Sequence, residues 1–233
     1  MEVATRGADA KRSATGKEPV VSEQFDQAFW DDRYRSQAAL WSGEPNGHLV
    51  AEVDGMTPGT ALDVGAGEGA DAIWLAGRGW QVTAVDISAV ALERAARHAV
   101  QAGADIAGRI VWLQRDLTDW RPPRDHYDLV SAQYMHLPPE PRQVLFNRLA
   151  SAVAPGGTLL IVGHHPSDLQ TAMPRPQMPE LFFTGDDIAR QLDPDQWDIV
   201  KNAAVPRSAT DPDGRLVTIH DTVLRARRHQ RHL

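Results

Sequence analysis

The residues of this chain best suited to chemistry lie between positions 61 and 88, where acidic side chains flank a glycine-rich turn. Gly65, Gly67 and Gly69 allow the backbone to adopt positive φ and to approach a ligand closely. Asp86 follows the first of these glycines by about twenty residues, where a carboxylate can accept hydrogen bonds from both hydroxyls of a ribose. The pattern predicts a site for a ligand that contains adenosine.

A strand, a turn and a helix must position these residues. The apolar run at 61–64 predicts a strand that ends at the glycines, and the spacing of Ile73 and Leu75 predicts the helix that follows. A second apolar run at 80–85 predicts the next strand, which ends at Asp86. Because ligands bind at the carboxyl ends of parallel strands, this βαβ unit brings the turn and Asp86 together.

The glycine spacing alone leaves two kinds of ligand open. Gly65-x-Gly67-x-x-Ala70 also fits the pattern of sites that bind a dinucleotide such as NAD. Asp63 places a carboxylate beside the turn, where it would repel a pyrophosphate and attract an ammonium group. Glu68 adds a second negative charge in the turn. The two charges favour a cationic ligand over a dianionic one.

Five ordered motifs between about residues 29 and 165 resemble those of the class I S-adenosylmethionine-dependent methyltransferases. They read ALDVGAGEG, VDIS, RDLTDW, YDLVSAQYMHLP and, from 149, LASAVAPGGTLLIVGHH. The resemblance implies an α/β fold with a Rossmann-like seven-stranded mixed sheet, in the order 3-2-1-4-5-7-6, with the last strand antiparallel and helices on both faces. It also implies S-adenosylmethionine as cofactor and S-adenosylhomocysteine as product.

The resemblance assigns roles to residues at matching positions. In the family, an acid at Asp116 accepts from the adenine amino group, and the next residue, Leu117, offers its backbone amide; the alternative for Asp116 is a carboxylate that only caps a turn. Arg33 is a partner for the methionine carboxylate. The full set of expected cofactor contacts is Arg33, Trp41, Asp63, Gly65, Ala66, Gly67, Asp86, Ile87, Asp116, Leu117 and Gln133.

The strings FWDDRY and LWSGEPNGHLV resemble the N-terminal cap of methyltransferases related to the thiopurine and tellurite-resistance enzymes. The cap in those relatives closes over the cofactor and lines the substrate entrance. Aromatic faces hold a cation without competing for its methyl group. The residues expected around the acceptor are Tyr34, Trp41, Tyr134, His136 and His165.

His136 and Tyr134, after the fourth strand, are the catalytic candidates. A hydroxyl or protonated nitrogen acceptor needs a base, and a neutral imidazole suits that task. A thiolate needs only alignment and desolvation. The alternative for His136 is a structural histidine packed between Met135 and Leu137. The adjacent His164 and His165 would point to opposite faces of a strand, so no metal site is predicted.

Composition favours a small-molecule acceptor. The 233 residues carry a net charge of −7, which argues against a broad surface for nucleic acid. The Asp/Asn-Pro-Pro-Tyr/Phe motif of nucleic-acid amino methylation is absent at 131–134. The chain has no cysteine, so neither a disulfide nor a thiolate site can form. No signal peptide or membrane-length apolar run is found, which predicts a cytoplasmic protein without a membrane partner; monomer and dimer both remain open.

One domain is expected at 23–227, with a cap at about 25–56. A disordered tail is expected at 1–22. A basic stretch begins at Arg225 and continues into a C-terminal tail at 228–233. A helix is predicted from Phe25 to Leu40, an irregular substrate-side loop at 166–183, and a hairpin near 210–214.

Three alternative functions remain: an NAD-linked oxidoreductase, a non-catalytic S-adenosylmethionine binder, and an RNA or protein methyltransferase. The methylated atom, S, O or N, also stays open.

Overall fold

The computed structural model describes residues 26–175 and 178–230. Seven strands form one sheet in the order β3-β2-β1-β4-β5-β7-β6, which confirms the predicted order. The strands are β1 (Thr60–Val64), β2 (Gln81–Asp86), β3 (Ile110–Gln114), β4 (Tyr127–Gln133), β5 (Val153–His164), β6 (Trp197–Thr210) and β7 (Leu216–Arg228). The predicted disordered tail at 1–22 lies outside the described residues, as do residues 231–233.

Helices cover both faces of the sheet. They are α1 (Gln27–Arg35), α2 (Gly47–Val53), α3 (Ala70–Gly77), α4 (Ala89–Ala102), α5 (Ala104–Ala107), α6 (Pro139–Ala152) and α7 (Gly185–Ala189). Neighbouring strand residues point to opposite sides, so Leu62 packs in the cluster that contains Leu149 of α6, and Ala61 packs in the cluster that contains Leu75 of α3. The parallel strands are therefore buried on both faces, as α/β sheets require.

The edge hairpin supplies the antiparallel part of the sheet. Strands β1 to β5 pair in parallel, whereas β7 pairs antiparallel with both β5 and β6. The Asp211 carboxylate accepts from the backbone N–H groups of Asp213 and Arg215, which fixes the tight turn. This confirms the predicted hairpin and the antiparallel last strand.

The last strand continues further than the sequence predicted. Arg225 and Arg228 lie within β7; Arg225 Nη1 donates to the carbonyl oxygen of Glu52 at 2.9 Å, and Arg228 forms an ion pair with Asp125. Arg225 and Arg228 therefore belong to the folded domain, and the tail predicted at 228–233 begins no earlier than residue 229.

The segment from 166 to 183 contains more structure than expected. Two short 3-10 helices, Pro166–Gln170 and Pro179–Leu181, lie within it. Asp168 is fully buried and accepts from Arg175 Nη2 at 2.8 Å and from the backbone N–H of His220 at 2.8 Å. A buried ion pair and a buried strand contact thus hold the loop against β7. None of the helices in the described part of the chain has the length and apolarity that crossing a membrane requires.

Candidate functional site

The glycine turn lies at the carboxyl end of β1, next to the end of β2. Gly67 has φ +53°, and its N–H donates to Asp86 Oδ2 at 2.8 Å. A Cβ on Gly67 would lie 3.0 Å from the Tyr34 hydroxyl, and a Cβ on Gly65 would lie 2.5 Å from Met135 Sδ. Side chains would therefore fill the space beside this turn, which is why glycine is needed there.

Asp86 is held in place by the backbone. Its Oδ1 accepts from Ser88 N–H at 2.8 Å, and its Oδ2 accepts from Gly67 N–H. Burial raises the pKa of Asp86, although these backbone hydrogen bonds favour the charged form. The same Ser88 caps α4 by accepting from the N–H of Ala91. Asp86 therefore lies beside the turn, and its contact with a ribose remains a prediction.

Asp63 is buried with an unsatisfied oxygen. The residue is 2% exposed, and its Oδ2 has no hydrogen-bond donor among the described residues. Burial raises the pKa of Asp63 well above its usual value, and the charges of Asp71 and Asp86 raise it further. A buried carboxylate needs a compensating donor or cation. The ammonium group of S-adenosylmethionine fits this need, whereas a pyrophosphate does not.

Sequence reasoning missed Asp71, which belongs to the same acidic group. It lies in the first turn of α3, and its Oδ1 accepts from the backbone N–H of Asn46 at 2.6 Å. Burial raises its pKa to about 6. An acid in the first turn of a helix ordinarily complements the helix dipole, so the sequence carried no signal for a role in the site.

Glu68 does not add a free negative charge, and this corrects the sequence-based argument. Its Oε1 accepts from Arg94 Nη1 at 2.9 Å, and its Oε2 accepts from the backbone N–H groups of Leu40 and Trp41 at 3.0 and 3.2 Å. The arginine compensates the charge of Glu68. Glu68 therefore attaches the N-terminal segment to the turn.

The N-terminal segment covers the glycine turn. Tyr34 is buried, and its hydroxyl accepts from Trp41 Nε1 at 3.1 Å. Burial, with the charge of Asp86 nearby, raises the pKa of Tyr34 to about 12. Arg33 is exposed, with its guanidinium 5.7 Å from the centroid of the Trp30 ring. The structure thus brings Tyr34 and Trp41 to the turn and places Arg33 at the surface.

The same contacts explain why α1 is shorter than predicted. Asp26 caps its start by accepting from the N–H of Phe29. Beyond Arg35, Arg94 Nη2 donates to the carbonyl oxygen of Gln37 at 2.8 Å. The Glu68 carboxylate accepts from the backbone N–H groups of Leu40 and Trp41. These backbone groups bond to other parts of the fold and so are lost to the helix.

Replacing Arg94 by methionine is expected to loosen this covering segment. The change removes bonds to Glu68, to the carbonyl oxygen of Tyr34 and to that of Gln37. Each hydrogen bond to a charged group contributes about 1.5–3 kcal/mol, so the amide hydrogens of Leu40 and Trp41 should exchange at least about tenfold faster. Arg97→Met, an exposed arginine of the same helix, is the matched control. Equal exchange in the two variants would contradict this role.

A cavity of about 700 Å³ lies beside Ile87, the residue after Asp86. Ile87 and Asp116 line it, together with Gln27, Asp31 and Gln114. Both residues therefore border one cavity, and their contact with an adenine ring remains a prediction.

The two neighbours in the predicted adenine motif have different surroundings. The Asp116 carboxylate accepts from the N–H and the hydroxyl of Thr118 at 2.8 and 2.7 Å, so it already caps its own turn. The Leu117 side chain lies in the core. The contact of Asp116 with adenine therefore remains a prediction.

Gln133 ends β4 with half of its amide unsatisfied. Its Nε2 donates to Ser131 Oγ at 2.7 Å, while its Oε1 is buried and has no donor within the described part of the chain. The side chain thus presents a hydrogen-bond acceptor at the carboxyl end of β4, and its contact with the cofactor remains a prediction.

A buried aspartate that the sequence analysis did not identify organises the acceptor side. Asp221 of β7 is fully buried. Its Oδ2 accepts hydrogen bonds from Arg207 Nε at 2.5 Å and from the Tyr134 hydroxyl at 3.1 Å. The same oxygen lies 3.1 Å from His48 Nε2. Its Oδ1 lies 3.5 Å from His164 Nδ1. These hydrogen bonds lower the pKa of Asp221 far below its usual value despite burial. Asp221 stands between His220 and Thr222, so the sequence carried no signal that it would be buried.

Tyr134 and His136 do come together, but His136 is poorly suited to act as a base. Its Nε2 accepts the backbone N–H of His164 at 3.2 Å, and its ring stacks on that of His164 at 4.8 Å. Burial, together with the charges of His164 and nearby arginines, lowers the pKa of His136 to about 3. The imidazole is therefore neutral and binds a proton weakly at neutral pH. Tyr134 has φ +55°, a strained conformation for a tyrosine.

His164, not the predicted His165, lies against this group. The ring of His164 is 4.7 Å from that of Tyr134 and 6.3 Å from that of Phe182. His165 instead caps a 3-10 helix, with its Nδ1 accepting from the N–H of Ser167 at 3.2 Å. Neighbours in a strand face opposite sides, so only one of the pair can reach Tyr134. No cluster of three or more potential metal ligands occurs in the ranges 26–175 and 178–230.

Comparison with known proteins agrees with this geometry. A family model described as methyltransferase domain matches residues 61–157. Two curated relatives, uncharacterised methyltransferases of Mycobacterium bovis and Mycobacterium tuberculosis, are each 40% identical over 122 residues. The match covers 50% of this chain and 58% of each relative, so the chain spans little more than half the length of these relatives.

Solved structures with the same fold have low sequence identity. A protein described for the conversion of a disulfide bond into a thioacetal group during echinomycin biosynthesis aligns with a TM-score of 0.68 and 22% identity, over 88% of this chain and 93% of that one. TehB from Haemophilus influenzae aligns with a TM-score of 0.62 and 18% identity, over 86% of this chain and 66% of that one. Magnesium protoporphyrin IX methyltransferase from Synechocystis, with bound SAH, aligns with a TM-score of 0.62 and 21% identity, over 89% of this chain and 97% of that one.

Proposed function

We propose that the chain is a class I methyltransferase that transfers a methyl group from S-adenosylmethionine to a small acceptor, a proposal supported by the methyltransferase domain model that matches residues 61–157. The observation that carries the proposal is the buried Asp63, whose Oδ2 has no donor among the described residues, close enough to Asp86 for the two charges to interact. This pair of carboxylates matches a ligand with an ammonium group at one end and a ribose in the middle.

The residues divide the cofactor between them. Asp63 neutralises the ammonium group, Asp86 accepts from the ribose hydroxyls, and Ile87 and Asp116 border the adenine cavity. Tyr34 and Trp41 lie over the turn, joined by a hydrogen bond from Trp41 Nε1 to the Tyr34 hydroxyl. The bound cofactor supplies an electrophilic methyl group on a sulfonium. A dinucleotide is disfavoured because its pyrophosphate would lie beside Asp63 and Asp71, and like charges at close range cost several kcal/mol.

The acceptor is proposed to lie against Tyr134, His164 and Phe182. Their rings are within 4.7–6.3 Å of His136 or of each other, which makes an aromatic surface. Asp221 fixes the orientation of Tyr134 by accepting from its hydroxyl. Such a surface suits a small apolar or aromatic molecule, and its rate enhancement comes from alignment and desolvation.

The low basicity of His136 favours an acceptor that is already ionised, such as a thiol of low pKa. General-base catalysis contributes about 10²–10⁴-fold when the pKa of the base lies near the working pH. A pKa of about 3 places His136 far from that optimum. We therefore assign His136 a positioning role. Its Nε2 accepts a hydrogen bond from the backbone N–H of His164 and so helps to hold His164 in place.

The test is transfer of tritiated methyl from S-adenosylmethionine to a panel of thiols, phenols and amines. Methylated thiols are expected, with turnover in His136→Gln within about threefold of the unaltered protein, because no base is lost. His229→Gln, at an exposed site on the far edge, is the control. Binding of the cofactor without any methylated product would favour a sensor or scaffold instead, and label found only in RNA or protein would exclude a small acceptor.

A further inference from the structure

Three acidic residues beside the glycine turn, Asp63, Asp71 and Asp86, are close enough for their charges to interact. Asp63 is 2% exposed, and the backbone N–H of Ala72 stabilises its charged form. Ala72 is the neighbour of Asp71 in α3, and the charge of Asp71 acts on the Asp63 carboxyl group. Asp86, at the end of the adjacent β2, adds a third carboxylate.

The surroundings provide little positive charge for this group. Asp71 accepts from the N–H of Asn46, which is uncharged, and residue 131, opposite Asp63 on β4, is serine. Tyr34 approaches Asp86 from α1 as a neutral phenol. Arg94, which is near the turn, is committed to Glu68 and to backbone carbonyls. Two buried carboxyl groups without a cation retain a proton more readily than either group would in water.

We propose that Asp63 and Asp71 hold one proton between them in the unliganded protein, and that the ammonium group of S-adenosylmethionine takes the place of that proton. The inference rests on the proposed function. The carboxyl O–H bond breaks on binding, the proton goes to the buffer, and the ammonium group keeps its own protons. Asp71 thereby becomes a residue that determines selectivity for ligands with an amino-acid tail.

Two observations support this exchange. Asp63 Oδ2 is buried without a donor within the described residues, so it can take a hydrogen bond from the ligand. The pKa of Asp63 is raised well above its usual value, and that of Asp71 to about 6, with burial as the largest cause for both. Because binding releases one proton, the dissociation constant should fall by up to about tenfold for each unit by which the pH rises.

The test is calorimetric titration at pH 7 in buffers with different ionisation enthalpies. S-adenosylmethionine is expected to release close to one proton per site, while 5′-methylthioadenosine, which lacks the amino-acid tail, should release almost none. The α-amino pKa is about 7.7–8.0, so the ligand stays protonated at this pH. In Asp71→Asn, proton release should fall by at least half and affinity for S-adenosylmethionine about tenfold, with affinity for methylthioadenosine unchanged. Asp105→Asn, in the first turn of α5, is the matched control.

A second readout needs no ligand. The folded-state pKa of Asp71 is raised, so its contribution to stability is favourable below its unfolded value and is lost as pH rises through about 6. Unliganded Asp71→Asn should therefore melt at a higher temperature than the unaltered protein at pH 8, and this gain should shrink at pH 5. Binding of S-adenosylmethionine without proton release would overturn this inference alone, whereas absence of binding would overturn the proposed function as well.

Discussion

Asp221→Asn is expected to lower the free energy of unfolding by about 3 kcal/mol, the lower end of the range for breaking a buried ion pair. Asp221 is fully buried and accepts from Arg207 Nε and the Tyr134 hydroxyl, with His48 Nε2 at hydrogen-bonding distance. An asparagine there leaves the Arg207 charge uncompensated. The lower end applies because the Arg207 side chain is 40% exposed and keeps contact with water. Denaturant unfolding at pH 7 measures the change.

The effect of Asp221→Asn should depend on pH. The folded-state pKa of Asp221 is depressed by its hydrogen-bond donors, so its stabilisation is fully present above the unfolded value of about 4 and is lost as pH falls through the folded value. The difference between the variant and the unaltered protein should therefore narrow in acid. Asp198→Asn on the same hairpin is the control, because its pair with His229 is exposed. A loss for Asp221→Asn below about 1 kcal/mol, the net contribution of a single ordinary hydrogen bond, would contradict this assignment.

Asp86→Asn is expected to weaken the binding of S-adenosylhomocysteine about 100-fold. Hydrogen bonds to a charged acceptor contribute about 1.5–3 kcal/mol each, and two ribose hydroxyls are proposed to donate to this carboxylate. Asparagine retains one acceptor oxygen for the N–H of Gly67 or Ser88, which now bond to Asp86 at 2.8 Å. The fold should therefore persist, and calorimetric titration measures the loss of affinity.

The exposed Asp119→Asn is the matched control for Asp86→Asn, since it removes the same charge three residues after Asp116 without touching the turn. We expect its affinity to stay close to that of the unaltered protein. If Asp86→Asn binds S-adenosylhomocysteine within about fivefold of that affinity, well short of one charged hydrogen bond, the ribose assignment is wrong.

The fold could be predicted from the sequence because its signals are local. The glycine turn, the N-cap at Ser88 and the turn at Asp211 each fix an element boundary through the chemistry of nearby residues. The sheet order came from the resemblance of ordered motifs and is confirmed. The length of α1 was wrong, because its end depends on Glu68 and Arg94, which are distant in sequence.

The candidate site could be predicted only where its residues belong to a motif. Asp63 and Asp86 stand at strand ends in a recognisable pattern, and the structure brings them beside one turn. Asp221 and His48 are 173 positions apart, and no local pattern links them. The sequence also could not show that Arg94 compensates Glu68, or that burial would make His136 a weak base.

Calorimetric titration of the unaltered protein with S-adenosylhomocysteine and with NAD tests the central claim most directly, namely that buried carboxylates select a ligand with an ammonium group over one with a pyrophosphate. The account predicts micromolar binding of S-adenosylhomocysteine and binding of NAD at least about 100-fold weaker, because like-charge contacts cost several kcal/mol. NAD binding as tight as that of S-adenosylhomocysteine would contradict it.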